Sequence, residues 1–177
     1  MDKLQQKKLE RVFRILDQNG DGFLEEVDYT RAGDQVAQNR GLQADSPQYQ
    51  QMRQRMHDYW EALLARADKN GDQRISREEW MASIEENSAA VEQAHSQMIG
   101  LLAVLLDRNG DGRITLEDYR LLLHDLGYEM DQAETVFARI DLNGDGQIDQ
   151  AELVRLTDEF FHSTDPEAPG NWMLGIL

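Results

Sequence analysis

The sequence of 177 residues contains no cysteine. This absence excludes a disulfide framework, a zinc site built from thiolates and a cysteine nucleophile. Basic residues are also scarce, with 18 Lys and Arg against 34 Asp and Glu, for a formal net charge of −16. Because so much negative charge repels phosphate backbones and anionic lipids, we expect no nucleic acid and no membrane among the partners. Cations are the expected ligands.

Long apolar runs are absent as well. The longest, residues 98–106, covers nine positions, about half of the roughly 20 that a membrane-spanning helix needs. The N-terminal segment contains lysines but no apolar stretch typical of a secretory signal. With 40% hydrophobic and 29% charged residues, the composition is that of a folded protein. We therefore expect a folded, monomeric, cytoplasmic protein.

A twelve-residue pattern occurs four times, at residues 17–28 (loop I), 68–79 (loop II), 107–118 (loop III) and 141–152 (loop IV). The copies read DQNGDGFLEEVD, DKNGDQRISREE, DRNGDGRITLED and DLNGDGQIDQAE. Each has Asp at the first position, Asn at the third, Asp at the fifth, an aliphatic residue at the eighth and an acid at the twelfth. This is the pattern of the EF-hand calcium loop.

The pattern follows from the needs of a hard cation, which takes six to eight oxygens at about 2.3–2.6 Å. Side chains at positions one, three, five and twelve and the carbonyl at position seven supply them, while a glycine at position six allows a positive φ. The predicted ligands are Asp17, Asn19, Asp21, Phe23 and Asp28 in loop I; Asp68, Asn70, Asp72, Arg74 and Glu79 in loop II; Asp107, Asn109, Asp111, Arg113 and Asp118 in loop III; and Asp141, Asn143, Asp145, Gln147 and Glu152 in loop IV.

The loops differ in ways that predict a ranking. Loop IV ends in Glu152, which can give two oxygens, so we expect it to bind calcium most tightly. Loops I and III end in Asp28 and Asp118, whose shorter arms favour six-fold coordination and make Mg²⁺ a competitor. Loop II has Gln73 at position six, where a positive φ costs about 1–2 kcal/mol and weakens binding roughly 5- to 30-fold. We expect loop II to be the weakest site, or only a structural partner of loop I, and three or four calcium ions in all.

Apolar residues at helical spacing precede and follow each loop, which predicts four helix–loop–helix units. The eighth residues, Leu24 with Ile75 and Ile114 with Ile148, are placed to form short antiparallel bridges. We therefore predict an all-α protein with four EF-hands in two pairs, I–II and III–IV, packed into one compact globule. The predicted parts are residues 1–87, residues 88–164 and an apolar tail at residues 165–177.

The connections between loops are unequal, since the loop starts are separated by 51, 39 and 34 residues. The surplus in the first interval is predicted to be a longer exit helix, a loop, or both. Ser46 before Pro47, and Asp131 with Glu134, predict helix starts. Between the two pairs we expect two helices that meet near residues 86–88, with one long helix as the alternative.

Four such loops, the long first interval, Asp at the ends of loops I and III, and the ending DPEAPGNWMLGIL together resemble the calerythrin and sarcoplasmic calcium-binding protein family. The resemblance covers nearly the whole chain. It implies an all-helical globule with the EF-hand pairs face to face and a role in binding or buffering intracellular calcium. The second hand of this family is often degenerate, whereas loop II here keeps its side-chain ligands.

Three classes of function remain at this point. The apolar tail, with Trp172, Met173 and Leu174, is predicted to fold back as a plug over a surface that a sensor would offer to a target. Because the methionines form no obvious groove, we favour a calcium buffer over a calcium sensor that exposes a hydrophobic groove to an unidentified partner protein. A photoprotein or small-molecule binder is a third class, but the terminal proline expected of photoproteins is missing. No catalytic spacing is present, so we expect no enzyme.

Overall fold

The computed structural model describes residues 2–85, 103, 106–107, 109–125 and 132–175. Within this part the helices are α1 (Lys3–Leu16), α2 (Glu26–Asn39), α3 (Pro47–Ala67), α4 (Arg77–Glu85), α5 (Leu116–Asp125), α6 (Ala133–Ile140), α7 (Gln150–His162) and a 3₁₀ helix (Pro169–Trp172), and the strands are β1 (Phe23–Leu24), β2 (Ile75–Ser76), β3 (Ile114–Thr115) and β4 (Gln147–Ile148). The predicted all-α class is confirmed. The predicted helix junction near residues 86–88, the helix start at Asp131 and the last two residues of the tail lie outside the described residues.

The chain divides into two compact units. One is Leu9–Leu101, which carries loops I and II, and the other combines Met1–Lys8 with Leu102–Leu177, which carries loops III and IV. Helix α1 therefore starts in the second unit and ends in the first. None of the helices in the described ranges is both long enough and apolar enough to cross a membrane.

Short antiparallel bridges join the loops in pairs. Leu24 of β1 lies opposite Ile75 of β2, and Ile114 of β3 lies opposite Ile148 of β4. All four side chains are buried, so each bridge is anchored by the apolar contact of the two eighth residues. The predicted pairings I–II and III–IV are confirmed.

The long first interval contains both a longer helix and a loop. Helix α2 ends at Asn39, and α3 begins at Pro47, after Ser46. The Ser46 hydroxyl accepts a hydrogen bond from the Tyr49 amide at 3.2 Å, which satisfies one of the free amides at the start of α3. The predicted helix start is therefore confirmed.

The core of the first unit is built from the apolar stripes that flank its loops. The ring of Tyr29 lies 5.6 Å from the rings of Tyr59 and Trp60, centroid to centroid. The indole N–H of Trp80, a buried residue of α4, donates to the Leu9 carbonyl at 3.2 Å. The aromatic contacts join α2 to α3, and the Trp80 hydrogen bond joins α4 to α1.

In the second unit, the 3₁₀ helix of the tail packs against α7. Gly170 is required by this contact, because a Cβ there would lie 2.4 Å from the Leu156 carbonyl oxygen. The Gly170 amide donates to the Glu159 carboxylate at 3.0 Å. Met173, at the end of the 3₁₀ helix, is buried. The described part of the tail is thus packed against the exit helix of loop IV.

Lys8 is fully buried in the second unit, at the C-terminal end of α7. Its ammonium group donates to the carbonyls of Glu159 and Ser163 at 3.3 and 3.0 Å and to the Asn171 side chain at 3.0 Å. Burial lowers the pKa of Lys8, and the Asp2 carboxylate acts in the opposite direction. A cation at the free carbonyls of a helix C-terminus is favourable. No periodic pattern predicts this contact, because its partners lie more than 150 positions away along the chain.

Candidate metal sites

The first aspartate of each loop is held by at least two backbone amides. In loop IV, Asp141 accepts from the Gly144 amide through Oδ1 and from the Gly146 amide through Oδ2, each at 2.8 Å. The same two bonds, from the fourth and sixth positions, occur in loops I, II and III. The carboxylate thus organises the tight turn that curls the loop.

The third and fifth residues continue the same pattern. Asn143 Oδ1 accepts from the Asp145 amide at 2.8 Å, and Asp145 Oδ1 accepts from the Gln147 amide at 2.9 Å. The equivalent bonds are present in the other loops. The predicted side-chain ligands at positions one, three and five of each loop are therefore held in the same backbone arrangement. Of the seventh residues, Phe23 and Gln147 lie in strands β1 and β4, and Arg74 and Arg113 directly precede strands β2 and β3.

A glutamate at position twelve spans the loop. Glu152 accepts from the Asp149 amide through Oε2 at 3.0 Å and, through Oε1, from the Leu142 and Asn143 amides at 2.8 and 3.0 Å. Glu79 does the same in loop II, where it accepts from Ser76 at 3.0 Å and from Lys69 at 3.1 Å. The glutamate in both cases ties the start of the loop to its end.

An aspartate at position twelve is placed differently. Oδ2 of Asp28 accepts from the Glu25 amide at 2.9 Å, and Oδ2 of Asp118 accepts from the Thr115 amide at 2.9 Å. Oδ1 of Asp28 is buried and has no hydrogen-bond partner. The one-methylene difference in length thus has a visible consequence, because the second oxygen of Asp28 is left unpaired inside the loop.

Asp28 is 1% exposed, although it is an acid. Its pKa is raised, mainly by burial and further by the nearby charges of Asp17 and Asp21, while the amides of Glu25 and Gln18 act in the opposite direction. Burying a carboxylate oxygen without a partner is costly, and a bound cation would remove that cost. The surroundings of Asp28 therefore fit a metal ion.

Loop IV brings three acids together. One ligand oxygen from each of Asp141, Asp145 and Glu152 lies within 4.8 Å of the other two. Two oxygens that each lie about 2.3–2.6 Å from the same Ca²⁺ ion can be no more than about 4.6–5.2 Å apart, so the observed separations are compatible with one shared ion. In the part of the chain that the structure describes, no other three acidic or histidine side chains bring their ligand atoms this close together. Its residues fit a hard divalent cation.

Gln73 has φ of +63°, and it is the one non-glycine residue with positive φ in the described ranges. Gly22, Gly112 and Gly146 occupy the same position in the other loops with φ of +86°, +81° and +85°. A Cβ at any of these glycines would meet no neighbouring atom within 4 Å. The glycine is therefore needed for backbone conformation and not for space, and the strained backbone predicted in loop II is present.

Two hydroxyls that the sequence analysis did not single out orient the twelfth residues. Ser76 Oγ donates to Glu79 at 2.8 Å, and Thr115 Oγ1 donates to Asp118 at 2.6 Å. The hydrogen bonds from Ser76, that of its amide first, lower the pKa of Glu79. The signal for these residues was present, because Ser or Thr three positions before an acid is the capping-box pattern.

Family models match both halves of the chain. A model of the EF-hand domain pair matches residues 104–158, which include loops III and IV. A model of the EF hand matches residues 9–26 and 61–84, which include most of loop I and all of loop II. No curated protein sequence matches significantly.

Solved structures share the fold. A calcium-binding protein from Streptomyces coelicolor, described in connection with prokaryotic calcium-mediated regulation, is 26% identical with a TM-score of 0.74, over 89% of this chain and 97% of that one. The sarcoplasmic calcium-binding protein of amphioxus is 23% identical with a TM-score of 0.80, over 100% and 99%. The coelenterazine-binding protein of Renilla muelleri is 22% identical with a TM-score of 0.74, over 100% of both chains.

Replacement of Asp28 by asparagine tests the cost of the buried carboxylate. Because burial raises the pKa of Asp28, the ionised form destabilises the metal-free fold near neutral pH, and this cost is relieved as the pH falls through that pKa. We expect Asp28→Asn to raise the urea midpoint in the presence of a chelator, with a difference from wild type that shrinks on acidification. Asp118→Asn, in the same position but half-buried, is the matched control. An equal or larger rise for the control would contradict this interpretation.

Proposed function

We propose that this chain, whose loops match models of the EF hand and of the EF-hand domain pair, buffers calcium in the cytoplasm and has no catalytic activity. The observation that carries the proposal is the shared arrangement of the four loops, in which each first, third and fifth side chain accepts hydrogen bonds from backbone amides of its own loop. The three converging acids of loop IV add support. When bound, calcium supplies positive charge that cancels the repulsion among these carboxylates.

We assign the ligands residue by residue as the sequence predicts, with side chains at positions one, three, five and twelve and the carbonyl at position seven. Loop IV is the tightest site in this proposal, since Glu152 already ties both ends of its loop through three amides. In loops I and III, Asp28 and Asp118 favour one oxygen each, so Mg²⁺ competes there. Loop II is the weakest site because of the backbone at Gln73.

Calcium titration by calorimetry, with and without millimolar Mg²⁺, tests the number and ranking of the sites. We expect three or four sites, of which two lose apparent affinity in Mg²⁺ while the tightest does not. Glu152→Gln removes one charge from loop IV and should abolish the tightest phase, whereas Glu159→Gln, on the same helix but outside the loop, should leave it in place. A single weak phase, or loss of the tightest phase in Mg²⁺, would contradict the ranking.

Gln73→Gly tests whether backbone strain limits loop II. Relief of the positive-φ strain should tighten calcium binding at this site by about 5- to 30-fold. The reciprocal variant Gly112→Gln introduces the same strain in loop III and should weaken that site by a similar factor. The idea fails if Gln73→Gly gains no affinity at any site.

The tail supports buffering over sensing. A sensor opens an apolar groove when it binds calcium, whereas a buffer keeps its apolar surface covered. In the second unit, the 3₁₀ helix of the tail lies on α7, and Asn171 joins it to Lys8. Trp172 accepts a hydrogen bond from Tyr119 through its carbonyl at 3.2 Å and stacks under the Arg139 guanidinium at 4.1 Å. We propose that this tail is a permanent cover.

Deletion of residues 166–177 should expose the covered surface and increase the fluorescence of a hydrophobic dye, with or without calcium. Gly170→Ala tests the same contact without shortening the chain, because its Cβ cannot fit against the Leu156 carbonyl. Gly33→Ala, where the nearest atoms belong to the flexible Met56 side chain, is the matched control and should leave the dye signal unchanged. Unchanged dye fluorescence and melting in both the deletion and Gly170→Ala would contradict the cover.

A calcium sensor is the alternative function. It is favoured by the likeness to the Streptomyces coelicolor protein described in connection with calcium-mediated regulation. The same dye distinguishes the two functions in the undeleted protein, because calcium would increase dye binding by a sensor but not by a buffer.

A further inference from the structure

Loops III and IV are connected by an arginine as well as by their bridge. Arg113, the seventh residue of loop III, donates through Nη1 to the side chain of Gln147, the seventh residue of loop IV, at 2.8 Å. The same nitrogen lies 4.0 Å from Oδ2 of Asp145, a predicted calcium ligand of loop IV. The guanidinium of one loop thus lies beside a ligand carboxylate of the other.

The fifth-position carboxylate of loop IV differs from those of the other three loops in the group that lies beside its Oδ2. In loops I, II and III, Oδ2 of the fifth residue accepts a hydrogen bond from the amide nitrogen of the third-position asparagine, at 3.1, 3.2 and 2.9 Å. In loop IV, the group described beside this oxygen is the Arg113 guanidinium. Asp145 Oδ2 therefore lies beside a full positive charge, whereas Oδ2 of Asp21, Asp72 and Asp111 accepts a hydrogen bond from a neutral amide.

The first pair has a related arrangement. Arg74, the seventh residue of loop II, lies over the ring of Phe23, the seventh residue of loop I, at 4.2 Å from the centroid. It also forms an ion pair with Asp72 of its own loop at 3.7 Å. In each pair, one seventh-position arginine reaches across the bridge to the other seventh residue and lies beside a fifth-position ligand. The affected ligand belongs to the partner loop in one pair and to the arginine's own loop in the other.

We propose that these two arginines are internal counter-ions that set calcium affinity, Arg113 for loop IV and Arg74 for loop II. In the metal-free protein each guanidinium partly neutralises a ligand carboxylate, and calcium competes with it for that carboxylate. Arg113 in addition makes the affinity of loop IV depend on the state of loop III, whose seventh residue it is. The inference rests on the proposed function, calcium binding by loops II and IV.

The sign of the effect follows from charge alone. Removing a positive charge beside a ligand leaves more negative charge for calcium and also leaves the metal-free loop less neutralised. Both changes favour the bound state. Because Arg113 and Asp145 are about half exposed, the expected gain is modest, about two- to fivefold in affinity, and is reduced by high salt.

NMR titration with calcium reads each loop separately, since the Gly146 and Gln73 amides donate to the first carboxylates of loops IV and II. We expect Arg113→Gln to lower the half-saturating calcium concentration at Gly146 by about two- to fivefold and to leave Gln73 unchanged. Arg74→Gln should lower the half-saturating calcium concentration at Gln73 and leave that at Gly146 unchanged. Arg113→Lys keeps the charge and should stay close to wild type. Arg53→Gln, which removes a charge paired with Asp34 outside the loops, controls for net charge.

A second readout does not need bound metal. In the presence of a chelator, Arg113→Gln should lower the melting temperature relative to Arg53→Gln, because a ligand carboxylate loses its counter-ion. Equal or weaker calcium binding at Gly146 in Arg113→Gln, or an equal gain in Arg53→Gln, would overturn the inference. If neither amide of the wild-type protein responds to calcium, the proposed function fails instead.

Discussion

The structure depends on a set of hydrogen bonds from backbone amides to carboxylates that would otherwise repel one another. The four loops occupy 48 residues and hold 17 of the 34 acids but five of the 18 basic residues, a net charge of −12 that leaves −4 for the rest of the chain. Amides at the fourth, fifth, sixth and seventh positions hold the first and fifth aspartates and the third-position asparagine of each loop in place. They arrange the oxygens but do not cancel the charge, so a divalent cation completes the arrangement.

Small chemical differences act on this common frame. A glutamate at position twelve reaches the amides at both ends of its loop, as Glu152 shows, whereas Asp28 accepts from the Glu25 amide and its buried Oδ1 has no hydrogen-bond partner. At position six, Gln73 has the positive φ that glycine has in the other three loops. One methylene in the first case and one side chain in the second are enough to make four sites of the same design unequal.

The sequence predicted most of what is local. The loop spacing predicted the shared backbone arrangement of the first, third and fifth side chains, the eighth residues predicted both bridges, and Ser46 with Pro47 predicted the start of α3. These features depend on residues within one turn or one loop, where chemistry and spacing determine geometry. Lys8 and Arg113 were not predicted as partners of Asn171 and Asp145, because such contacts depend on how distant elements pack and leave no periodic trace in the sequence.

Four calcium ions would change the formal charge of the protein from −16 to −8, and three would change it to −10. Ions that bind only the folded state stabilise it, and the dependence of stability on free calcium counts them. The most direct measurement is therefore the free energy of unfolding as a function of buffered free calcium. The account predicts a rise whose limiting slope against the logarithm of free calcium corresponds to three or four ions per chain. Stability that is the same in calcium and in chelator would contradict it.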